Sequence, residues 1–253
     1  MTPLELLGLI AVFAIVRVAI SIRPGSAAVV AGTPPPAASA RPSARTVLRE
    51  YLDAFIVAGL VALFLITFVV RTFYIPSGSM EPTLQIHDVL LVNEFEYRFS
   101  PPHDGDVVVF PPPIPSSNDF IKRVIGGPGD TLRVHDGIVY RNGHPLDEPY
   151  IAQKPAYEME IKNYQIIVDG TPLDPAFANV PPRKDWTSPD TIPPHCYFMM
   201  GDNRNDSEDS HIWGFAQDAG RFDAGQRKGQ AASFTGHAFL IFWPLDRIKV
   251  LAR

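Results

Sequence analysis

Two hydroxyl groups and one amine in this sequence have the types and the setting for covalent chemistry. Ser77 and Ser79 flank a glycine in PSGSM, and Lys122 interrupts the apolar stretch FIKRVI. A serine hydroxyl is a weak nucleophile that needs a base, and the amine of a desolvated lysine can serve once it is neutral. Strand alternation places Lys122 on the same face as Val124, so its amine can point into an apolar site. Taken separately, each residue is more typical of a turn or of a solvent-facing strand lysine, so a serine–lysine pair needs support from the motifs around it.

The composition excludes several other kinds of chemistry. The chain has 253 residues and a net charge of −5, so no basic face indicates a nucleic-acid partner. No Cys/His pair has metal-ligand spacing, and neither an HExxH motif nor a P-loop motif occurs. We therefore expect no metal and no cofactor. The single cysteine, Cys196, cannot close a disulfide within the chain.

The elements that must position the reactive groups begin with two apolar segments. Residues 54–70, AFIVAGLVALFLITFVV, carry no charge and are nearly long enough for a helix to cross a hydrocarbon core of about 30 Å. We predict a transmembrane helix over about 54–72. A second span is predicted over about 4–22, with a cleaved signal peptide or an interfacial helix as alternatives. The amino end lacks the positive region of a signal peptide, which favours a span.

The segment between these candidate spans predicts their orientation. Residues 23–50 form a Pro/Ala-rich linker with too little large apolar surface to fold. Four arginines lie in or beside it, whereas Arg71 alone follows the second span. The positive-inside rule then places the linker in the cytoplasm and the chain after Arg71 outside. We expect residues 1–72 to be a membrane anchor and 73–253 to be an extracytoplasmic domain.

The pattern from residue 73 onward changes to short β-rich segments. The predicted strands are 89–95, 106–110, 121–125, 131–143 with a hairpin turn at 135–137, 196–200 and 237–243. Pairs and triplets of proline act as breakers between them. We predict a mostly β fold, an antiparallel β domain with a loop-rich insertion at about 144–194, carried by two N-terminal transmembrane helices.

Four segments together resemble a known family. SGSMEPTL, HDVLLVNEF, KRVIGGPGD and GDNRNDSEDSHIWG occur in this order, between about residues 73 and 215. In types and order they resemble bacterial signal peptidase I, a membrane-bound serine endopeptidase with a Ser-Lys dyad. The resemblance implies cleavage of N-terminal signal peptides from exported preproteins, at Ala-x-Ala sites and through an acyl-enzyme. It also implies a multi-pass protein of the bacterial cytoplasmic membrane, with its catalytic domain on the periplasmic side and with the lipid bilayer and the secretion translocon as candidate partners.

The resemblance also implies roles for individual residues. The motif serine falls on Ser79, the nucleophile, and the general-base lysine falls on Lys122. The Ser77 hydroxyl, with the Ser79 backbone N–H, would form the oxyanion hole. Ser207 would orient the lysine amine. The residues expected near the substrate pockets are Phe73, Ile75, Pro76, Met80, Leu84, Phe120 and Ile121, and those expected to brace the site are Arg123, Asp202, Arg204 and Asp209, with Asp202 pairing with Arg123.

One departure from the family pattern opens an alternative. His211 stands where the family usually has arginine, so Asp209 would face a histidine, a weaker brace near neutral pH. His211 or His87 could instead serve a Ser-His-Asp triad, although Lys122 would then have no role. The sequence has no GxSxG motif, so it does not indicate the nucleophile elbow of α/β-hydrolases.

Two other functions remain open at this point. One is a narrower Ser-Lys peptidase that matures a conjugation or pilus subunit. The other is a catalytically inactive scaffold for secretory partners. The presence of Ser79, Lys122 and Ser207 argues against a decayed site.

Overall fold

The computed structural model of this chain describes residues 3–21, 44–68, 70–176, 178–180, 188–218 and 234–251. The chain divides into two compact units, Met1–Val69 and Val70–Arg253. The linker expected over 23–50 lies outside the described residues up to 43.

Two helices make up the described part of the N-terminal unit. They are α1 (Pro3–Ser21) and α2 (Ala44–Phe68). The rings of Phe13 and Phe55 lie 5.8 Å apart, and the Arg17 Nε atom lies 2.8 Å from an Asp53 carboxylate oxygen. Among the residues described here, no helix combines the length and the apolar character needed to cross a membrane, which the two predicted spans require.

The boundaries of the second helix differ from the prediction. α2 begins at Ala44, inside the segment expected to be linker, and ends at Phe68. A strand begins at Val70, so the prediction that the helix reaches residue 72 is wrong. The reason is that VRTFY continues the apolar character of the preceding run while its β-branched and aromatic residues favour a strand.

Fourteen strands follow in the described part of the second unit. They are β1 (Val70–Tyr74), β2 (Val89–Asn93), β3 (Val107–Phe110), β4 (Phe120–Gly126), β5 (Leu132–His135), β6 (Ile138–Arg141), β7 (His144–Pro145), β8 (Met159–Lys162), β9 (Gln165–Val168), β10 (Thr171–Pro172), β11 (Cys196–Met200), β12 (Ala216–Gln217), β13 (Gly236–Trp243) and β14 (Lys249–Val250). A short helix, α3 (Ser210–Trp213), and two 3-10 turns, Glu96–Arg98 and Leu245–Arg247, complete the described elements.

Eight of these strands form one sheet, here called the groove sheet. Their order is β1-β2-β13-β3-β4-β11-β12, with β14 added to β13, and the pairings are antiparallel. Lys122 on β4 is paired with Val108 on β3. The antiparallel β domain that the sequence predicted is therefore present.

The other six strands form a second sheet, here called the outer sheet. Their order is β10-β9-β8-β5-β6-β7, again antiparallel. The outer sheet is an excursion of the chain between β4 and β11, two strands that pair with each other in the groove sheet. The 144–194 segment was expected to be loop-rich, but it supplies β7, β8, β9 and β10 to this sheet. MEIK and QIIV were missed because each is only four residues long.

Apolar residues fill layers on these sheets. One cluster packs outer-sheet residues such as Val139 and Ile166 against Ile125 and Phe198 of the groove sheet. Another packs the chain around Ile75 against strands β2, β3 and β13. The second cluster anchors the loop after β1, which carries Ser79.

Candidate active site

The structure brings Ser79 and Lys122 into direct contact. Ser79 lies in the loop after β1, and Lys122 lies in the middle of β4. The Lys122 Nζ atom lies 2.8 Å from the Ser79 Oγ atom, within hydrogen-bond distance. The two groups are 43 residues apart in the chain, so the fold of the groove sheet is what joins them.

Backbone contacts hold the Ser79 loop in place. The Asn203 backbone N–H donates to the Ser79 carbonyl at 3.1 Å, and its side-chain amide donates to the Gly78 carbonyl at 3.1 Å. Gly201 passes so close to the Ser79 carbonyl that a Cβ atom there would overlap it. Met80 is buried in the apolar cluster beneath the loop. Sequence reasoning missed Asn203 and Gly201, which belong to the polar run after β11.

Burial favours the neutral form of the Lys122 amine. Its side chain is 4% exposed. Burial lowers the pKa of Lys122 from 10.5 to about 8, while the carboxylates of Asp209, Glu208 and Asp202 oppose this by raising it. A lower pKa means that more of the amine is neutral near physiological pH, as proton abstraction from a serine requires.

The two other serines of the predicted site have different settings. Ser77 is exposed and lines the same groove as Ser79. Ser207 is buried beside Gly201, and its hydroxyl has no hydrogen-bond partner among the described residues. The hydrogen bond expected from Ser207 to Lys122 is therefore not formed in this structure.

A buried ion pair braces the strand that carries Lys122. The Arg123 guanidinium binds both carboxylate oxygens of Asp202, with N···O distances of 2.9 and 2.7 Å. A third nitrogen of Arg123 donates to the Gly105 carbonyl at 2.8 Å. The Thr83 hydroxyl also donates to Asp202. The predicted pairing of Asp202 with Arg123 is present, and it ties β4 to the chain after β11.

Arg204 has a partner that the sequence did not reveal. Its guanidinium binds both oxygens of Glu148, at 3.0 and 2.7 Å, and donates to the Gly201 carbonyl at 3.1 Å. The ring of Tyr150 lies between this pair and Arg123, with the Arg123 guanidinium carbon 3.9 Å from the ring centre. Glu148 and Tyr150 belong to the segment expected to be an insertion, where no spacing indicated a contact 56 residues away.

Asp209 faces His211, as predicted. Its fully buried carboxylate accepts hydrogen bonds from His211 Nδ1 at 2.6 Å and from the Gly201 backbone N–H at 2.9 Å. Asp209 also caps the N-terminus of α3. Asp209 therefore holds the backbone of Gly201, the residue that lies against the Ser79 carbonyl.

A groove of about 770 Å³ opens over the Ser79–Lys122 contact. Six of the seven residues expected near the substrate line it: Phe73, Ile75, Pro76, Met80, Phe120 and Ile121. Leu84 does not, because its side chain is fully buried in the apolar cluster under the loop. Tyr74, Asp119, Asp206 and Glu208 also line the groove and were not predicted.

The alternative histidine bases lie elsewhere. His87 Nδ1 makes a short hydrogen bond with the Tyr74 hydroxyl, and His211 binds Asp209. Among the described residues, neither histidine has a hydrogen bond to Ser79, whose partner is Lys122. The geometry therefore favours the dyad over a Ser-His-Asp triad.

Two groups of side chains have ligand atoms close enough together to hold a metal ion. Within the described ranges these are Glu96, His103 and Asp106, and His135, Asp136 and Glu158. Neither group includes a residue that lines the groove. The groove itself holds the Ser79–Lys122 contact.

Comparisons with known proteins identify relatives of this chain. The sequence model of a family described as "Signal peptidase, peptidase S26" matches residues 48–224. A probable signal peptidase I-2 of Synechocystis is 38% identical over 207 residues, covering 80% of this chain and 76% of that protein. A signal peptidase I of Leptolyngbya laminosa is 36% identical over 87% of this chain and 92% of its own length. A signal peptidase I of Pseudomonas aeruginosa is 34% identical over 71% of this chain and 68% of its own length.

Proposed function

Because this chain belongs to the signal peptidase family, peptidase S26, and is a serine endopeptidase of the signal peptidase I type, we propose that Ser79 and Lys122 carry out its reaction. The observation that carries this proposal is the 2.8 Å contact between a loop serine and a buried lysine amine at the base of the groove. Ser79 is the nucleophile, and Lys122 is the general base.

The reaction begins with proton transfer. Neutral Lys122 takes the proton from the Ser79 hydroxyl as its oxygen attacks the carbonyl carbon of the scissile peptide bond. The protonated amine then gives its proton to the leaving nitrogen, and the mature protein's new N-terminus departs. The remaining signal peptide is held as an ester on Ser79. Lys122 next removes a proton from water as the water oxygen attacks the ester carbonyl. The Ser79 oxygen leaves and takes that proton back from Lys122, which restores the enzyme and releases the signal peptide with a free carboxyl group.

The negative charge on the attacked oxygen needs donors. We assign this role to the Ser79 backbone N–H and the Ser77 hydroxyl, which lies exposed in the same groove. Donors fixed before the reaction stabilise a developing oxyanion without reorganising. The close contacts of Gly201 and Asn203 with the Ser79 loop support this arrangement, because they hold the loop where those donors are needed.

The groove suits an extended peptide. Signal-peptide-bearing preproteins are the substrates, and we propose that they bind with small residues, as in Ala-x-Ala, facing the apolar lining around Ile75 and Ile121. Phe73 and Tyr74 belong to β1, which pairs with β2 on one side and ends the strand order of the groove sheet. An end strand offers unpaired backbone groups to which a substrate strand can add.

We also propose that the N-terminal unit attaches the enzyme to a bacterial cytoplasmic membrane. The uncharged 54–70 run and the exposed apolar side chains of both helices, among them Ile15, Phe55 and Val61, support this. The arginines around 23–50 support an orientation in which this segment is cytoplasmic and the peptidase unit is periplasmic. It is tested by placing reporter cysteines in the linker and in the peptidase unit and asking which react with an impermeant reagent in intact cells.

The catalytic assignment is tested with the full chain in detergent and a preprotein that has an Ala-x-Ala site. Wild type is expected to cut after the second alanine, as read by N-terminal sequencing of the product. Ser79→Ala and Lys122→Ala are expected to lose at least about 10³-fold in kcat/KM. Lys162→Ala, an exposed lysine of the outer sheet, is the matched control and keeps its activity.

The other candidate functions give different results in the same assay. If Lys122→Ala cut as well as wild type, the base would lie elsewhere and the dyad would be wrong. If wild type cut one pilus or conjugation subunit but none of several unrelated preproteins, the narrower maturation peptidase would be supported. Folded wild type that cuts nothing would support a scaffold.

A further inference from the structure

A mixed group of carboxylate and imidazole side chains lies beside the groove sheet, away from the dyad. Glu96, His103 and Asp106 each place a ligand atom within 4.8 Å of the ligand atoms of the other two. None of the three residues lines the groove over Ser79 and Lys122. The proposed peptidase chemistry therefore gives this group no role.

The three side chains come from the connection between two strands of the groove sheet. Glu96 begins the 3-10 turn Glu96–Arg98 that follows β2, and Asp106 directly precedes β3. The turn from His103 to Asp106 closes on itself. The His103 N–H donates to an Asp106 carboxylate oxygen at 2.9 Å, and the Asp106 N–H donates to the His103 carbonyl at 3.1 Å. The sequence expectation of no metal depended on Cys/His spacing, whereas this group combines one imidazole with two carboxylates.

Other side chains orient the two carboxylates. Asp106 is fully buried, and the Tyr97 hydroxyl donates to the same oxygen as the His103 N–H, at 3.0 Å. His237, on β13, has its Nδ1 atom 3.1 Å from a Glu96 oxygen and its Nε2 atom 3.8 Å from the other oxygen of Asp106. In metal sites, partners of this kind fix the orientation of the ligating groups. Tyr97 and His237 are placed for that supporting role.

A second group of potential ligands provides a comparison. His135, Asp136 and Glu158 also have ligand atoms within 4.8 Å of one another, but their side chains are 45%, 85% and 51% exposed. In the first group, Asp106 and Glu96 are only 0% and 21% exposed. Solvent screens charges and leaves side chains mobile at an exposed site, so the group between β2 and β3 is the better preorganised of the two.

We propose that Glu96, His103 and Asp106 bind one zinc ion. Imidazole and carboxylate ligands suit Zn²⁺, and three protein ligands leave a fourth position for water. Two ligand atoms of a tetrahedral zinc are about 3.4 Å apart at bond lengths of about 2.0–2.2 Å. The His103 Nδ1 atom already lies 3.8 Å from an Asp106 oxygen, so small side-chain rotations close the site.

The bound ion ties the chain after β2 to the start of β3. Because the ion binds the folded chain, where the ligands are together, it stabilises the protein against unfolding. The inference goes beyond the proposed peptidase function and does not depend on the assignment of the dyad.

The experiment uses the full-length enzyme in detergent, without a polyhistidine tag and freed of metal by a chelator. Zn²⁺ binding is measured by titration calorimetry, and Tm is measured with and without the ion. Wild type is expected to bind one Zn²⁺ at this site, and free Zn²⁺ at about 100 times the Kd should raise Tm by about 5 °C. Mg²⁺ at the same concentration should leave Tm unchanged, because Mg²⁺ prefers oxygen ligands to imidazole.

Two matched variants identify the group that takes the ion. His103→Gln replaces a side chain that is 51% exposed, so the variant is expected to fold. It should weaken the affinity for Zn²⁺ by at least about tenfold, since the loss of even a supporting residue of a metal site has an effect of this order. His135→Gln makes the same change in the exposed group and should keep the wild-type affinity and Tm shift.

Three results would overturn the proposal. The first is a wild-type protein without saturable Zn²⁺ binding. The second is an unchanged affinity in His103→Gln, which would place any bound zinc elsewhere. The third is an equal Tm shift with Mg²⁺, which would show that the carboxylates attract cations without ligation by the imidazole.

Discussion

The groove sheet and the outer sheet bury different kinds of side chain. Along the described chain, two of the buried charged residues, Lys122 and Arg123, lie on β4 of the groove sheet, and five lie in loops next to its strands: Asp88, Asp106, Asp202, Arg204 and Asp209. None of the seven lies in the outer sheet. The outer sheet buries aliphatic residues such as Leu132, Val139 and Ile166. The groove sheet and the loops next to it hold costly charged groups, whereas the outer sheet is close to an ordinary apolar core.

The two sheets therefore differ in what they contribute to the protein. A buried charge is tolerated only with good partners, and it adds little net stability. The groove sheet keeps such charges because Lys122 must be desolvated and its strand must be held firmly. The outer sheet carries no buried charged residue, so its aliphatic packing can stabilise the folded state. Glu148, which binds Arg204, connects the two regions.

The largest expected effect comes from breaking the buried pair of the groove sheet. Arg123→Met removes the partner of Asp202 and leaves a carboxylate with no exposure uncompensated. We expect the free energy of unfolding to fall by about 3–5 kcal/mol, measured by urea denaturation of the detergent-solubilised protein. The same change at exposed Arg133 on the outer sheet should cost under about 0.5 kcal/mol. Equal losses at both positions would erase the distinction between the sheets.

A somewhat smaller loss is expected from the aliphatic core of the outer sheet. Ile166 is fully buried on β9, and Ile166→Ala should lower the free energy of unfolding by about 3 kcal/mol. The folded variant should keep its kcat/KM, because Ile166 is not among the residues that line the groove. Ile248→Ala, at an exposed position beside β14, is the control for loss of the same atoms. A large fall in kcat/KM of folded Ile166→Ala would show that the outer sheet shapes the site.

Replacing Lys122 should change stability in the opposite direction. The folded state lowers the pKa of Lys122 to about 8 from 10.5, so the unfolded chain binds the proton more tightly and burial of the charged amine costs stability below about pH 8. Lys122→Met should therefore raise the free energy of unfolding by about 3 kcal/mol at pH 7, because each unit of the pKa difference is worth about 1.4 kcal/mol. The gain should shrink as the pH rises from 8 to 10.5, because the wild-type amine is then neutral in the folded state.

A gain in stability is expected only from replacing the buried lysine of the groove sheet. Thermal unfolding of wild type and Lys122→Met at pH 7 and pH 10 measures it, beside Lys162→Met on the outer sheet, an exposed lysine for which no gain is expected. A Lys122→Met protein less stable than wild type at pH 7 would mean that the amine contributes more through its contacts than its burial costs.

Strands of the groove sheet were accessible to sequence reasoning, and much of the outer sheet was not. The runs at 89–95, 106–110 and 196–200 are apolar and bounded by breakers, so the strands stood out. β8 alternates over only four residues and β9, also four residues long, does not alternate, so neither was distinguished from loop. Ser79 and Lys122 were identified through a resemblance of motifs. Glu148, which binds Arg204, and Asn203, which donates to the Ser79 carbonyl, could not be identified, because no local pattern encodes a contact made by the tertiary fold.

The smallest effect is expected at Leu84, because the sequence could not show whether its side chain faces the groove or the core. Leu84 was expected near the substrate, but it lies in the apolar layer of the groove sheet. Leu84→Met keeps the volume and should cost less than about 1.5 kcal/mol of unfolding free energy, as such a swap would in the outer sheet. The relative kcat/KM for peptides with Ala, Gly or Ser at the cleavage site should not change. If the preference among Ala, Gly and Ser changed, Leu84 would lie at the groove after all. If it did not change, the apolar layer beneath the charged residues of the groove sheet would behave as an ordinary core.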